Sequence, residues 1–150
     1  MQKSGLEVRA ATVTDRAAAI RFLSAQLVEL KLPVDEEGIA RAVELALSPS
    51  GIAWLAMATL AGLPVGILLA NPIVSVEHGG GALWIEELYV APPHRRRGVA
   101  RALIEYMDRQ AHNVGLRALE LEVTEDSEPA LALYQSLGFS ILPRRRLHRA

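Results

Sequence analysis

The segment Val90-Ala91-Pro92-Pro93-His94-Arg95-Arg96-Arg97-Gly98-Val99-Ala100-Arg101-Ala102-Leu103 constrains this chain more than any other, because an apolar strand runs through a proline stop into a basic turn that opens a helix. Such a junction has the layout of an anion site, although on its own it also reads as a capped surface helix with a solvated arginine run. The first amides of a helix have no intrahelical acceptor, the helix dipole puts partial positive charge on them, and the small residues Gly98 and Ala100 leave room for a phosphate.

The surrounding pattern predicts where this junction sits. A first strand is expected over Leu6 to Ala10, then a helix capped by Thr14 or Asp15 and running to about Leu30, where Pro33 breaks it. Asp35 or Glu36 to Leu47 reads as a second helix, with Ile39, Ala42, Val43 and Ala46 on one face. Ile52 to Leu60 and Val65 to Ala70 form an expected hairpin around Ala61-Gly62-Leu63-Pro64, followed by a loop from Asn71 to Gly81 and a strand from Leu83 to Val90. After the junction, Gly98 to about His112 places Val99, Ala102, Leu103, Tyr106 and Met107 on one face of a helix. Ala118 to Val123 is an expected strand, Ser127 an expected N-cap for a last helix, and Gly138-Phe139 a turn into final strands. This order gives an α+β fold, a mixed α/β sandwich of about four helices around one mixed sheet, as a single domain over residues 1–150.

Three motifs now carry a resemblance. Arg95-x-x-Gly98-x-Ala100 resembles the Q/R-x-x-G-x-G/A signature of the GNAT superfamily of N-acetyltransferases. Leu83-Trp84-Ile85-Glu86-Glu87-Leu88-Tyr89-Val90 is similar to that family's fourth strand, and Ser127 to Phe139 to its "N-x-x-A-x-x-L-Y-x-x-x-G-F" segment, with Ser127 where Asn is usual. The opening Val8-Arg9-Ala10-Ala11-Thr12-Val13-Thr14-Asp15 resembles the "R-x-A-T-x-x-D" of many members. The order and spacing are the family's, and the likeness covers roughly the whole chain.

The resemblance implies transfer of an acetyl group from acetyl-CoA, used as cosubstrate, to a primary amine. It places the pyrophosphate on the amides of Arg96, Arg97, Gly98, Val99, Ala100 and Arg101, with the side chains of Arg95 and its neighbours adding screened attraction. The pantetheine arm is expected to add like a strand along Leu88, Tyr89 and Val90, near Ser127, Ala130 and Tyr134.

An aliphatic amine with a pKa of about 10 must lose a proton before it attacks, and Glu86 and Glu87 are the bases at hand. On a regular strand they face opposite sides, so one alone looks into the cleft. Likeness to polyamine-type members points to Glu86, with Glu87 the second choice. The bland alternative is a surface ion pair for one and electrostatic attraction of the acceptor for the other. Tyr134 matches the family's proton donor to the departing thiolate, although its place on an apolar helix face also suits a core residue. Ser127 offers one hydroxyl where Asn supplies an amide, and serves equally as an N-cap.

Composition narrows the rest. The chain has no cysteine, so an acyl-cysteine intermediate is excluded and direct attack remains. Sixteen Lys+Arg against seventeen Asp+Glu leave a formal charge of −1, with no general attraction to nucleic acid. His78, His94, His112 and His148 show no metal-ligand spacing, and His94 is expected to line the cofactor entrance. No apolar run reaches the ~18 residues of a membrane span and Met1 to Gly5 holds no leader core, so a soluble cytoplasmic protein is expected. The acceptor is expected to be a small-molecule amine or a lysine side chain. Family habit suggests a homodimer through final strands around Leu142 to His148. The competing readings are an acyl-CoA-sensing module without turnover, and an enzyme using another acyl-CoA or an amino-acid acceptor.

Overall fold

Leu55 and Met57 alternate with Ala56 and Ala58 along one strand, and Ile67 and Leu69 with Leu68 and Ala70 along the next, so both faces of these strands are apolar and both are buried. A sheet of this kind must be covered on two sides. The computed structural model describes residues 5–150 and shows that arrangement. Met1 to Ser4, part of the stretch read as lacking a leader core, lie outside the described residues.

The elements follow in the order β1 (Leu6–Ala10), α1 (Arg16–Glu29), α2 (Glu36–Leu47), β2 (Trp54–Leu60), β3 (Leu63–Ser75), β4 (Gly80–Val90), α3 (Val99–Asn113), β5 (Leu119–Glu120) and α4 (Glu128–Ser136). The five strands lie side by side in chain order. The first four are antiparallel, and β5 joins β4 in parallel. Phe22, Leu23, Ile39 and Val43 of α1 and α2 pack on Leu55, Met57, Ile67 and Tyr89. On the other face Val99, Leu103, Ile104, Met107 and Ala111 of α3 pack on Ala56, Ala58, Leu68, Leu83 and Ile85. The mixed α/β sandwich with four helices is the expected fold.

Close approach fixes where α3 begins. A Cβ on Gly66 would lie 3.0 Å from Val99 Cγ1, 3.1 Å from the Tyr89 carbonyl oxygen and 3.3 Å from Leu103 Cδ1, so β3 offers bare backbone under the first turn of α3. That turn is held against the end of β4.

Several expected boundaries move. The expected loop from Asn71 to Gly81 is instead the continuation of a long hairpin, in which Asn71 pairs with Trp84 and Ser75 with Gly80. The glycines that suggested a loop supply the positive φ of Gly79 and Gly80 at its turn. The expected strand Ala118 to Val123 pairs only at Leu119 and Glu120. Residues 140–150 form no strand, so the final strands expected around Leu142 to His148 have no counterpart there.

Asp15 is the N-cap of α1 by position, yet its side chain makes no capping bond to that helix. It turns back instead, accepting hydrogen bonds from Arg9 Nη1 at 2.7 Å, Arg9 Nη2 at 3.0 Å and the Thr12 amide at 2.7 Å. The carboxyl is buried, and the Arg9 guanidinium holds it below the usual carboxylate range. Asp15→Asn is expected to cost about 2 kcal/mol of stability at neutral pH, the scale of hydrogen bonds to a charged group. A depressed carboxyl pKa stabilises the fold above the unfolded value of about 3.9 and ceases to do so as pH falls through the folded value. Denaturant midpoints of Asp15→Asn and the parent should therefore differ at pH 7 and converge as pH falls through the folded value.

Candidate active site

The junction between β4 and α3 is where backbone geometry departs most from regular structure. A single 3-10 turn, Pro92–His94, follows β4, then Arg96 adopts φ +61° and Gly98, the N-cap of α3, φ +80°. These left-handed residues turn successive amides toward one point ahead of the α3 N-terminus. Nothing lies within 4 Å of a Cβ built on Gly98, so the glycine serves backbone conformation and keeps the space in front of it open.

That space is the end of a groove of about 610 Å³. One wall is Leu88, Tyr89 and Val90 of β4, the floor is the 94–101 turn, and the other wall is Pro129, Ala130, Leu133 and Tyr134 of α4. The groove exists because β5 pairs with β4 only at Leu83 and Trp84 and then leaves it. Beyond that point this edge of β4 has no ladder partner. A second groove, about 530 Å³ between α1 and α2, has its charged groups Arg16 and Glu44 paired with each other and holds no predicted site residue.

The predicted residues divide accordingly. Leu88, Tyr89, Val90, Arg95, Arg96, Gly98, Val99, Ala100, Arg101, Ala130 and Tyr134 meet in the groove, whereas Glu86, Glu87, Arg97 and Ser127 do not line it. Ser127 is the N-cap of α4 by position, but its hydroxyl makes no capping bond. Arg95 lines the groove with its charge already engaged by other lining residues. Its Nε donates to the Val90 carbonyl at 2.8 Å, its Nη2 meets Glu29 at 2.5 Å, and its guanidinium lies 5.5 Å from the Tyr89 ring centroid. His94 lines the groove as expected, and its Nδ1 is buried with no hydrogen-bond partner. Gln26 and Glu29, the last turn of α1, also reach the groove, and sequence reasoning missed them because nothing in α1 marks the turn that touches β4.

Glu86 and Glu87 depart from the expectation of opposite faces. Leu69 pairs with Glu87 and Ala70 with Ile85, so Glu86 is the extra residue of a β-bulge. Ile85 and Leu88 both pack toward α3, and Glu87 is left on the α1 face together with Glu86. Glu86 is exposed and accepts the Trp84 indole N–H at 2.8 Å. Glu87 is half-buried, and its carboxyl is pushed up to about 7, first by burial, then by the charges of Glu86 and Glu122, against an opposing hydrogen bond from Gln26. Tyr134 is half-buried with its ring 5.8 Å from that of Phe139, and burial raises its phenol above the ordinary value.

A carboxyl near neutrality and a phenol flank an open strand edge that leads to an amide cradle. The acetyltransferase (GNAT) family pattern matches residues 25–139, which span this whole assembly. The chain belongs to the GNAT acetyltransferase family. Among its relatives, the ribosomal protein bS18 alanine N-acetyltransferase of Escherichia coli K12 is 40% identical over 57 residues, 38% of this chain and 38% of that protein. Streptothricin acetyltransferase of Streptomyces lavendulae is 36% identical over 75 residues, 50% of this chain and 40% of that protein. The chain thus spans about two fifths of the length of these relatives. Its fold is that of an aminoglycoside N-acetyltransferase solved in complex with CoA, with a TM-score of 0.87 at 20% identity over 99% of this chain and 97% of that one. A possible acetyltransferase from Clostridium difficile 630 gives 0.84 at 20% identity over 97% of both chains.

In this GNAT chain the Gly98 conformation carries the cradle. An L side chain at φ +80° costs about 1–2 kcal/mol. If the turn relaxes to avoid that cost, Gly98→Ala should weaken CoA binding about tenfold, measured by calorimetric titration.

Proposed function

We propose that this GNAT chain is an acetyl-CoA-dependent N-acetyltransferase that acts on a primary amine by direct attack, with Glu87 as base and Tyr134 as acid. The observation that carries this reading is the β4 bulge, which puts Glu87, half-buried beside Glu86 and with its carboxyl raised to about 7, one residue before Leu88, where the groove that Tyr134 also lines begins. A base poised near neutral pH combines a useful ionised fraction with real basicity. Glu86, the first choice from sequence, is turned to solvent and engaged by Trp84, and its charge acts instead by raising Glu87.

The cradle suits a diphosphate. Its amides at residues 96–101 stand at the positive end of α3, the groove has room for an extended chain, and His94 Nδ1 is a buried polar atom without a partner beside it. When bound, acetyl-CoA supplies the activated acyl group. Leu88 to Val90 offer an unpaired strand edge to the amide-bearing arm of that molecule. The ammonium of the acceptor gives one proton to Glu87, the freed amine forms the new C–N bond as the C–S bond breaks, Tyr134 protonates the departing sulfur, and the second proton that nitrogen loses as the amide forms returns through solvent to the Tyr134 phenolate. No cysteine is present to take the acyl group in between.

The acceptor class follows from charge. An ammonium is drawn to the Glu86 and Glu87 pair on one face of β4, whether it belongs to a small molecule or to a protein amine. The relatives are named for both kinds, a ribosomal protein alanine and streptothricin.

The pH profile tests the roles. The rate constant kcat/KM for acetyl transfer should fall about tenfold per unit below an inflection near pH 7, where Glu87 becomes protonated. Glu87→Gln should remove that inflection and lower kcat by about 100-fold. Glu86→Gln should keep it and move it to lower pH, because a like charge has been taken away. An unchanged profile in Glu87→Gln would refute the base assignment. Tyr134→Phe should lower kcat by about 100-fold with KM for acetyl-CoA little altered, measured by release of free thiol.

A further inference from the structure

Residues 140–150 have no regular structure, yet basic side chains pin them across the face of β4 and β5. Arg144 makes a two-pronged contact with Glu77 in the β3–β4 turn region, at 2.9 and 2.7 Å. Arg146 does more. Its Nη1 lies 2.9 Å from Glu122 Oε1, and its guanidinium carbon stands 4.6 Å from the centroid of the Trp84 ring.

The pleat shows what this guanidinium is next to. Trp84 pairs with Glu120 in the parallel register, and paired residues project to the same face. Leu119 and Leu121 pack into the α3 core, so the carboxylates between and after them face the other way, with Trp84. Trp84 in turn holds Glu86 by its indole N–H, and both Glu86 and Glu122 are close enough to raise Glu87. A planar cation is therefore seated on an indole face and paired with a carboxylate, on the same face of the sheet as the proposed base. Indole gives the strongest cation–π attraction of the aromatic side chains, and guanidinium is the cation most often found on it. The seat is not permanent. Arg146 and Glu122 keep 54% and 58% of their side-chain surface exposed, so the pair is well solvated and open to exchange.

We infer that Trp84 and Glu122 form a cation subsite that reads a second positive charge on the acceptor, and that Arg146 occupies it until such an acceptor displaces it. This rests on the proposed acetyl transfer at Glu87. It names the acceptor class as an amine that carries a further guanidinium or ammonium group, and it makes residues 140–150 a strap that competes with that group.

Calorimetric titration of the full chain, preloaded with CoA so that no turnover occurs, tests the subsite. The probes are agmatine, which carries a primary amine and a guanidinium, and butylamine, which carries the amine alone. Arg146→Ala should tighten agmatine about tenfold and leave butylamine unchanged. Adding Glu122→Gln to that variant should reverse the gain, and adding Trp84→Leu should do the same. Glu122 is exposed, so its variant keeps the test decisive if Trp84→Leu folds poorly. Equal agmatine affinity in Arg146→Ala and the parent, or equal loss of both probes in Glu122→Gln, would overturn the subsite. Thiol release from acetyl-CoA is then measured with both amines. Selective agmatine binding without release would sink the transfer reading and leave the subsite standing, whereas release without selectivity in binding would do the reverse.

Discussion

The asymmetric pairing of β4 is the constraint on which the rest of the site depends. One edge is bonded to β3 from Gly66 opposite Val90 to Ser75 opposite Gly80. The other edge meets β5 at two residues and then stands free. A free strand edge is ordinarily a liability, because its amides and carbonyls invite another strand. Here α4 shields it, with Ala130, Leu133 and Tyr134 across the gap, so that an extended molecule can reach the edge only along the groove. In the proposed transfer, the same hydrogen-bonding capacity that would drive aggregation on an open sheet serves as a binding rail.

The bulge in β4 sets which side chains that rail presents. With strict alternation, Ile85 on the α3 side would put Glu87 and Tyr89 on the α3 side as well, and bury a carboxylate against Leu103 and Met107. One extra residue shifts the phase, so that Leu88 and Val90 enter the α3 core while Tyr89 enters the other, 5.6 Å from Phe22. Glu86 and Glu87 are thereby brought to the same face, and their mutual repulsion becomes a means of raising one of them toward neutrality. Two adjacent glutamates on a regular strand could not do this.

This explains what could be read from the residues and what could not. The cradle was legible because Pro92, Gly98 and the arginines encode it locally, and so was the Tyr134 helix, whose residues share a face every three or four positions. The bulge has no local signature, since Ile85-Glu86-Glu87-Leu88 reads as an ordinary strand and the register is decided by β3. The long β3–β4 hairpin reads as a loop for a related reason. Gly79, Gly80 and Gly81 weaken a strand on propensity, but Gly80 and Gly81 pair with Ser75 and Val74, and the pairing outweighs propensity. The short β5 and the irregular residues 140–150 show the opposite case, in which apolar residues such as Ile141, Leu142 and Leu147 suggest strands that find no partner.

Arg95 shows how far a motif residue can stand from the role its charge suggests. Its guanidinium is engaged by Glu29, the Val90 carbonyl and the Tyr89 ring, so the proposed anion binding falls to the backbone amides of the turn. Glu29 lies one helical turn beyond Gln26, and the two side chains point the same way from α1. Glu29 bonds Arg95, and the Gln26 side chain is near enough to Glu87 to oppose the rise of its carboxyl, so a single turn of α1 acts on both the proposed base and the turn before α3. The proposed base and the proposed phosphate cradle therefore both lie within reach of one helix, although in sequence that helix is far from either.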